Sequence, residues 1–213
     1  MTTKLFWEDP YQTSNETVII TASAEQVTVA ETVFFACSGG QESDHGTIAG
    51  IPVLEAVKDS QDIIYTLPPG HGLQAENHVT VAIDWQRRYR LMQLHFAAEL
   101  ILELTYRQRP GIIKIGAHIS PAKARLDFLY EENISPLLPE LRAAAASIIQ
   151  QNLDIVSAFS DPAAEQRYWE VNGFAKVPCG GTHLRKTGEI GDIVLKRNNI
   201  GKGKERIEIY LHT

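Results

Sequence analysis

The chain has 213 residues, 44% hydrophobic and 22% charged, with a formal net charge of −6 and two cysteines. These values lie in the globular range and exclude disordered, collagenous and disulfide-scaffold proteins. No apolar run reaches the ~18 residues a membrane helix needs, and the opening MTTKLFWEDPYQ lacks the apolar stretch of a secretory signal, so a reducing, cytoplasmic setting is expected. The charge is uneven: residues 1–84 hold 2 Lys/Arg against 12 Asp/Glu, and the remainder 18 against 14. An acidic first part beside a mildly basic second part can steer a polyanion onto one face.

Residues 17–22, 26–30 and 32–36 are short β-branched and aromatic runs, each read as a strand. A glycine-rich loop follows, then strands near 47–51, 62–67 and 77–83, separated by turn signals such as Pro68-Pro69-Gly70. This spacing suggests a small barrel or sandwich. At Asp84 the period changes: apolar residues recur at helical spacing to about Tyr106, with Asp84 as N-cap and Pro110-Gly111 as terminator. Two strands are expected over 112–119 and 124–130, and an alanine-rich helix over 136–152. A third helix is expected from Asp161, with Pro162 at its first position. Strands at 193–196 and 206–211 flank a turn at 198–203. The expected fold class is α+β. A small N-terminal β-barrel-like domain over 1–84 precedes an α+β domain over 85–213, whose antiparallel sheet packs on helices.

His95 and Glu99 are four apart on the long helix, so both leave one face about a turn apart. That face also carries Leu91 and Leu102, which points it inward, where a carboxylate needs a partner or a cation. Pro178-Cys179-Gly180-Gly181-Thr182-His183 places a thiol and an imidazole four apart on a Gly-Gly turn, which lets the backbone fold so that both reach one ion. Cys, His and carboxylate donors suit Zn²⁺. The spacings of zinc deaminases and zincins are absent, as are Walker A and G-x-G-x-x-G loops.

Asp84-Trp-Gln-Arg-Arg-Tyr-Arg-Leu-Met-Gln-Leu-His95 and Val177-Pro-Cys-Gly-Gly-Thr-His183-Leu-Arg-Lys-Thr-Gly-Glu-Ile-Gly191 resemble the editing domain of alanyl-tRNA synthetase and the free-standing AlaX-type proteins that share it. Thr32-Val-Phe-Phe-Ala-Cys-Ser-Gly-Gly-Gln41-Glu-Ser-Asp44-His-Gly46 resembles the glycine-rich motif of their longer forms, and Lys114-Ile-Gly and Arg125-Leu-Asp-Phe128 match the middle of the editing domain. The resemblance runs over nearly the whole chain. It implies a trans-editing hydrolase that binds Zn²⁺ through His95, Glu99, Cys179 and His183 and cleaves serine or glycine from mischarged alanine tRNA. Thr32 and Gln41, at the family's motif positions, are candidates for shaping the aminoacyl site. Arg87, Arg88, Lys123, Arg125, Arg185, Lys186 and the Lys202/Lys204/Arg206 hairpin are candidates for phosphate contacts at the acceptor end. Neither a membrane nor DNA is an expected partner.

The sequence departs from the family at Glu99, where a second histidine is usual, at Phe96, where a threonine follows the first histidine, and at Ser38. Glu99 is then a fourth ligand, a group orienting His95, or a general base on water. Two other readings stay open: a homologue that binds tRNA or a protein without hydrolysis, and an ester or amide hydrolase of small molecules.

Overall fold

The computed structural model describes residues 1–212. They form two compact units, one made of Met1–Ser38 and Glu42–Tyr89, the other of Gly39–Gln41 and the chain from Arg90 onward.

The first unit is built from β1 (Thr3–Lys4), β2 (Ser14–Ala22), β3 (Gln26–Val29), β4 (Glu31–Thr32), β5 (Gly46–Ile48), β6 (Ile51–Pro52), β7 (Glu55–Asp59), β8 (Asp62–Thr66) and β9 (His78–Ile83). Seven of these form one antiparallel sheet in the order β6-β5-β9-β2-β3-β8-β7, and β1 pairs with β4 in parallel. β2 makes the sheet curl: Ser14 to Val18 pair with β9, while Ile19 to Ala22 pair with β3 across a register shift. Its concave side closes over Ile19, Val27, Val29, Phe34, Ile48, Ile63, Tyr65 and Val81. Residues 32–36, expected as a strand, leave the ladder after Thr32 because side chains take over their amides. The Thr32 hydroxyl accepts from the Phe34 N–H at 3.0 Å, and the Asp44 carboxylate accepts from the Phe35 N–H at 2.7 Å.

The long helix, α1, runs over Trp85–Gln108 and starts as expected, with Asp84 Oδ1 accepting from the Arg87 N–H at 3.1 Å. Its middle is buried on nearly every side, from Leu91 to Thr105, so it is a core helix rather than an amphipathic one. The second unit continues with β10 (Ile113–Ile119), β11 (Ala124–Leu129), α2 (Leu138–Gln151), β12 (Val156–Asp161), β13 (Gln166–Val171), β14 (Ala175–Pro178), β15 (Ile193–Gly201) and β16 (Lys204–Leu211). One antiparallel sheet has the order β10-β11-β16-β15, and a second joins β12-β13-β14. α2 buries Leu141, Ala145 and Ile149, one per turn, and ends at Asn152 with φ of 50°.

The helix expected from Asp161 is not formed. β12 and β13 make a hairpin there. Asp161 Oδ1 does accept from the N–H groups of Ala163 and Ala164, as a helix cap would, but the turn ends at once. Arg167, Trp169 and Val171 are buried in alternation, and that period of two imposes a strand.

Candidate metal centre

Three side chains of the second unit converge. His95 projects from α1; Cys179 and His183 come from the loop after β14, and their donor atoms all lie within 4.8 Å of one another. His95 Nε2 is 3.4 Å from Cys179 Sγ, and His183 Nε2 is 3.3 Å from the same sulfur. Zn–S of ~2.3 Å and Zn–N of ~2.0–2.1 Å at tetrahedral angles put neighbouring donors roughly 3.5 Å apart, so these separations fit one zinc ion. Glu99 Oε1 lies 3.5 Å from His95 Nε2 and 3.8 Å from Cys179 Sγ, beside two of the three donors.

The loop is placed by backbone and side-chain bonds. The Cys179 N–H donates to the Arg167 carbonyl at 2.8 Å, tying the loop to β13. Gln41 Nε2 donates to Thr182 Oγ1 at 2.9 Å, and Gln41 Oε1 faces the Thr182 N–H at 3.4 Å. Gly39–Gln41 is itself anchored to β10, where the Ile119 N–H donates to the Gly40 carbonyl at 2.7 Å. The two loop glycines have different uses. A Cβ on Gly181 would lie 2.0 Å from His95 Cε1, whereas one on Gly180 would meet nothing within 4 Å, and neither adopts a positive φ. Gly181 is therefore needed for the close approach of backbone to imidazole, not for a turn conformation.

Residues that sequence reasoning missed complete the surroundings. Ser157 Oγ is 2.8 Å from His183 Nδ1, and the Trp169 indole N–H donates to Glu99 Oε2 at 3.1 Å. Arg167, buried, extends toward the Gly181 carbonyl at 3.5 Å. Phe96 meets Trp169 and His183 edge-on, with centroids 5.1 and 5.9 Å away. No local motif marks Ser157, Arg167 and Trp169, which β12 and β13 bring to the site, whereas Phe96 follows His95 on α1. Among the described residues, His95 Nδ1 is buried and has no hydrogen-bond partner.

The two imidazoles of the cluster are shifted in opposite directions. Burial opposes a charge on His95, but the adjacent Cys179 sulfur and Glu99 carboxylate outweigh it and push its pKa up to about 10. His183 is held well below the ordinary imidazole value by burial and by the positive charges of His95 and Arg167. Glu99 is half-buried, and burial works against its charge, yet its hydrogen bond and charge contact with His95 lower its pKa.

Residues 169–208 match the family model described as the threonyl and alanyl tRNA synthetase second additional domain. The chain is 30% identical to an alanyl-tRNA editing protein AlaX-M of Pyrococcus horikoshii, over 99% of this chain and 98% of that protein. The chain belongs to the AlaX-M family. An AlaX-M protein of Saccharolobus solfataricus is likewise 30% identical, over 97% of this chain and 98% of its own. The alanine–tRNA ligase of Ignicoccus hospitalis is 30% identical across all of this chain, which spans 26% of the ligase. The AlaX-M matches thus extend over both units, well beyond the segment of the family model.

The remaining sequence candidates are dispersed. Thr32 lies in the core of the first unit, its Oγ1 accepting from the Tyr65 hydroxyl at 2.8 Å. Arg88 corrects an expectation. It is fully buried, donating to Asp44, Pro10 and Val33 within the first unit, and cannot reach a phosphate. Arg87 pairs with Glu42 at 2.7 Å, Lys123 with Glu208 at 2.6 Å, Lys186 with Asp154 at 2.7 Å, and Arg125 with Asp127. Arg185 is exposed.

Proposed function

We propose that this protein is a zinc-dependent trans-editing hydrolase that cleaves the aminoacyl ester of alanine tRNA charged with serine or glycine. The observation that carries the reading is the convergence of His95, Cys179 and His183 at tetrahedral separations, in a chain related over its full length to alanyl-tRNA editing proteins.

The need for such an enzyme is physical. A pocket made for alanine cannot strongly exclude a substrate that adds a hydroxyl or lacks a methyl, so initial selection reaches only ~10–200-fold. A second site with its own hydrogen-bond geometry supplies the rest. His95, Cys179 and His183 would hold the ion, and zinc would supply Lewis-acid charge that fixes and polarises the aminoacyl group. Gln41 and Thr182 hold the loop in register, and Gln41 also presents an amide beside the site. Phe96 and Trp169 exclude water from its inner side. Glu99 borders the donors with a side chain still 17% exposed, within reach of solvent. Lys123, Arg125, Arg185 and Lys186, each on the second unit, are the phosphate candidates, and their contribution is salt-sensitive.

Elemental analysis of the purified chain, run beside hydrolysis of Ser-tRNA and Gly-tRNA, tests the proposal. One zinc per chain is expected, and activity that falls at least 100-fold in His183→Ala and on chelation. Full activity in metal-free protein rejects it.

A further inference from the structure

Resting on the hydrolase reading above, we infer that Phe159 is a substrate-binding residue: its ring is the platform on which the terminal base of the tRNA stacks, so that the site takes esters borne by a nucleoside in preference to free ones. Phe159 belongs to the hairpin of β12 and β13, where it pairs with Arg167 while Ser157 pairs with Trp169. Residues opposite each other in an antiparallel ladder project from one face, as do residues two apart on a strand. The four side chains therefore share a face, and three of them fix which way it looks. Ser157 bonds His183 Nδ1, Trp169 bonds Glu99 Oε2, and Arg167 extends toward the Gly181 carbonyl. That face is a wall of the metal centre.

A single exposed apolar side chain is ordinary on a protein surface; Phe159 is set apart by its place and by how it is held. On this wall Trp169 is fully buried and Arg167 is buried, whereas Phe159 is 38% exposed. The Arg167 guanidinium lies over the Phe159 ring, 5.1 Å from its centroid, and fixes it by cation–π attraction. A ring clamped by a buried cation and still reached by solvent suits a flat partner. The reach fits as well. Residues two apart on a strand are separated by about 7 Å, so Phe159 lies about one sugar beyond Ser157 and the histidine that Ser157 bonds. The ester to be cut sits on the ribose of the last nucleotide, and the base is the next group outward. With the aminoacyl end at His95, Cys179 and His183, the base comes to the Phe159 ring. Every base has a π-face, so such a ring recognises a nucleoside without reading its edges. An aminoacyl ester that carries no base gains nothing from it.

Two measurements on the full chain test this. The first is hydrolysis of Ser-tRNA. Phe159→Leu keeps apolar bulk and removes the ring; its KM is expected to rise about 5–150-fold, the range for loss of one base–aromatic stack. Its kcat and zinc content are expected to stay at wild-type values, since binding shared by ground and transition states is what is lost. Phe159→Tyr is expected to restore KM. The second is a titration of an acceptor-stem minihelix carrying 2-aminopurine in place of the terminal adenine, whose fluorescence stacking quenches. Quenching is expected with wild type and Phe159→Tyr, and none with Phe159→Leu. An unchanged KM in Phe159→Leu overturns the inference, as does quenching that is equal, or absent, with wild type and Phe159→Leu. A KM raised equally by leucine and tyrosine marks a packing role and overturns it too. In those outcomes hydrolysis continues and the proposed function stands; a wild-type chain that hydrolyses no mischarged tRNA overturns both.

Discussion

Each unit buries one dense polar cluster, and the two clusters are built on opposite principles. In the first unit Arg88 is wholly enclosed. Its Nε donates to Asp44 at 2.9 Å, Nη1 to the Pro10 carbonyl at 2.9 Å and Nη2 to the Val33 carbonyl at 2.6 Å, while Asp44 also receives the Phe35 N–H. Each of the three guanidinium nitrogens has an acceptor. In the second unit two imidazoles, a sulfur and a carboxylate bring atoms that can ligate a metal close together, and among the described residues His95 Nδ1 has no hydrogen-bond partner. A cluster closed on itself serves the fold; one in which His and Cys donor atoms lie within 4.8 Å of one another could hold a cation.

This contrast is open to attack. The largest effect is expected from Asp44→Ala, which leaves a buried guanidinium uncompensated and should cost about 3–5 kcal/mol in denaturant unfolding. Cys179→Ala should do the reverse: metal-free stability stays within about 1 kcal/mol of wild type while zinc binding is lost, because functional groups seldom optimise stability. A large loss of metal-free stability in that variant would break the distinction. Next comes the pair of loop glycines. Gly181→Ala forces a Cβ against His95 and is expected to cost about 1–3 kcal/mol together with zinc affinity, whereas Gly180→Ala should stay within about 0.5 kcal/mol.

A half-exposed charge cluster sharpens the comparison from a third side. Burial works against the charge on Asp127, but Arg206, bonded at 2.6 and 3.0 Å, and Arg125 hold its carboxyl below the ordinary value of 3.8. A depressed folded-state pKa contributes stability fully above the unfolded value and loses it as pH falls through the folded one. Asp127→Asn should therefore cost about 1–3 kcal/mol at neutral pH, with the gap to wild type closing below about pH 4 in urea titrations. The smallest effect is expected at the exposed Lys186–Asp154 pair, where Lys186→Ala should change stability by less than about 0.5 kcal/mol.

Local signals account for what could be read in advance. Asp84 before an apolar helical period announced α1, and the thiol and imidazole four apart in the 179–183 loop announced two of the three converging donors. Where one local signal serves two structures, reading failed: the acceptor of Asp161 caps a turn as readily as a helix, so the hairpin of β12 and β13 went unseen. With it went Ser157, Arg167 and Trp169, whose relevance arises from strand pairing and not from spacing. Arg88 stands beside Arg87 in a run that offers phosphate contacts, and only the fold shows that Arg88 is enclosed. Gly181 was read as a flexible hinge, and its use as a gap for an imidazole depends on α1, 86 positions earlier in the chain.

The short segment Gly39–Gln41 is grouped with the second unit although the residues on both sides of it belong to the first. A fragment starting at α1 would leave behind the amide side chain of Gln41, which bonds Thr182, and the Gly40 carbonyl, which accepts from the Ile119 N–H. Dividing the gene there would therefore separate three residues from the unit with which they are grouped.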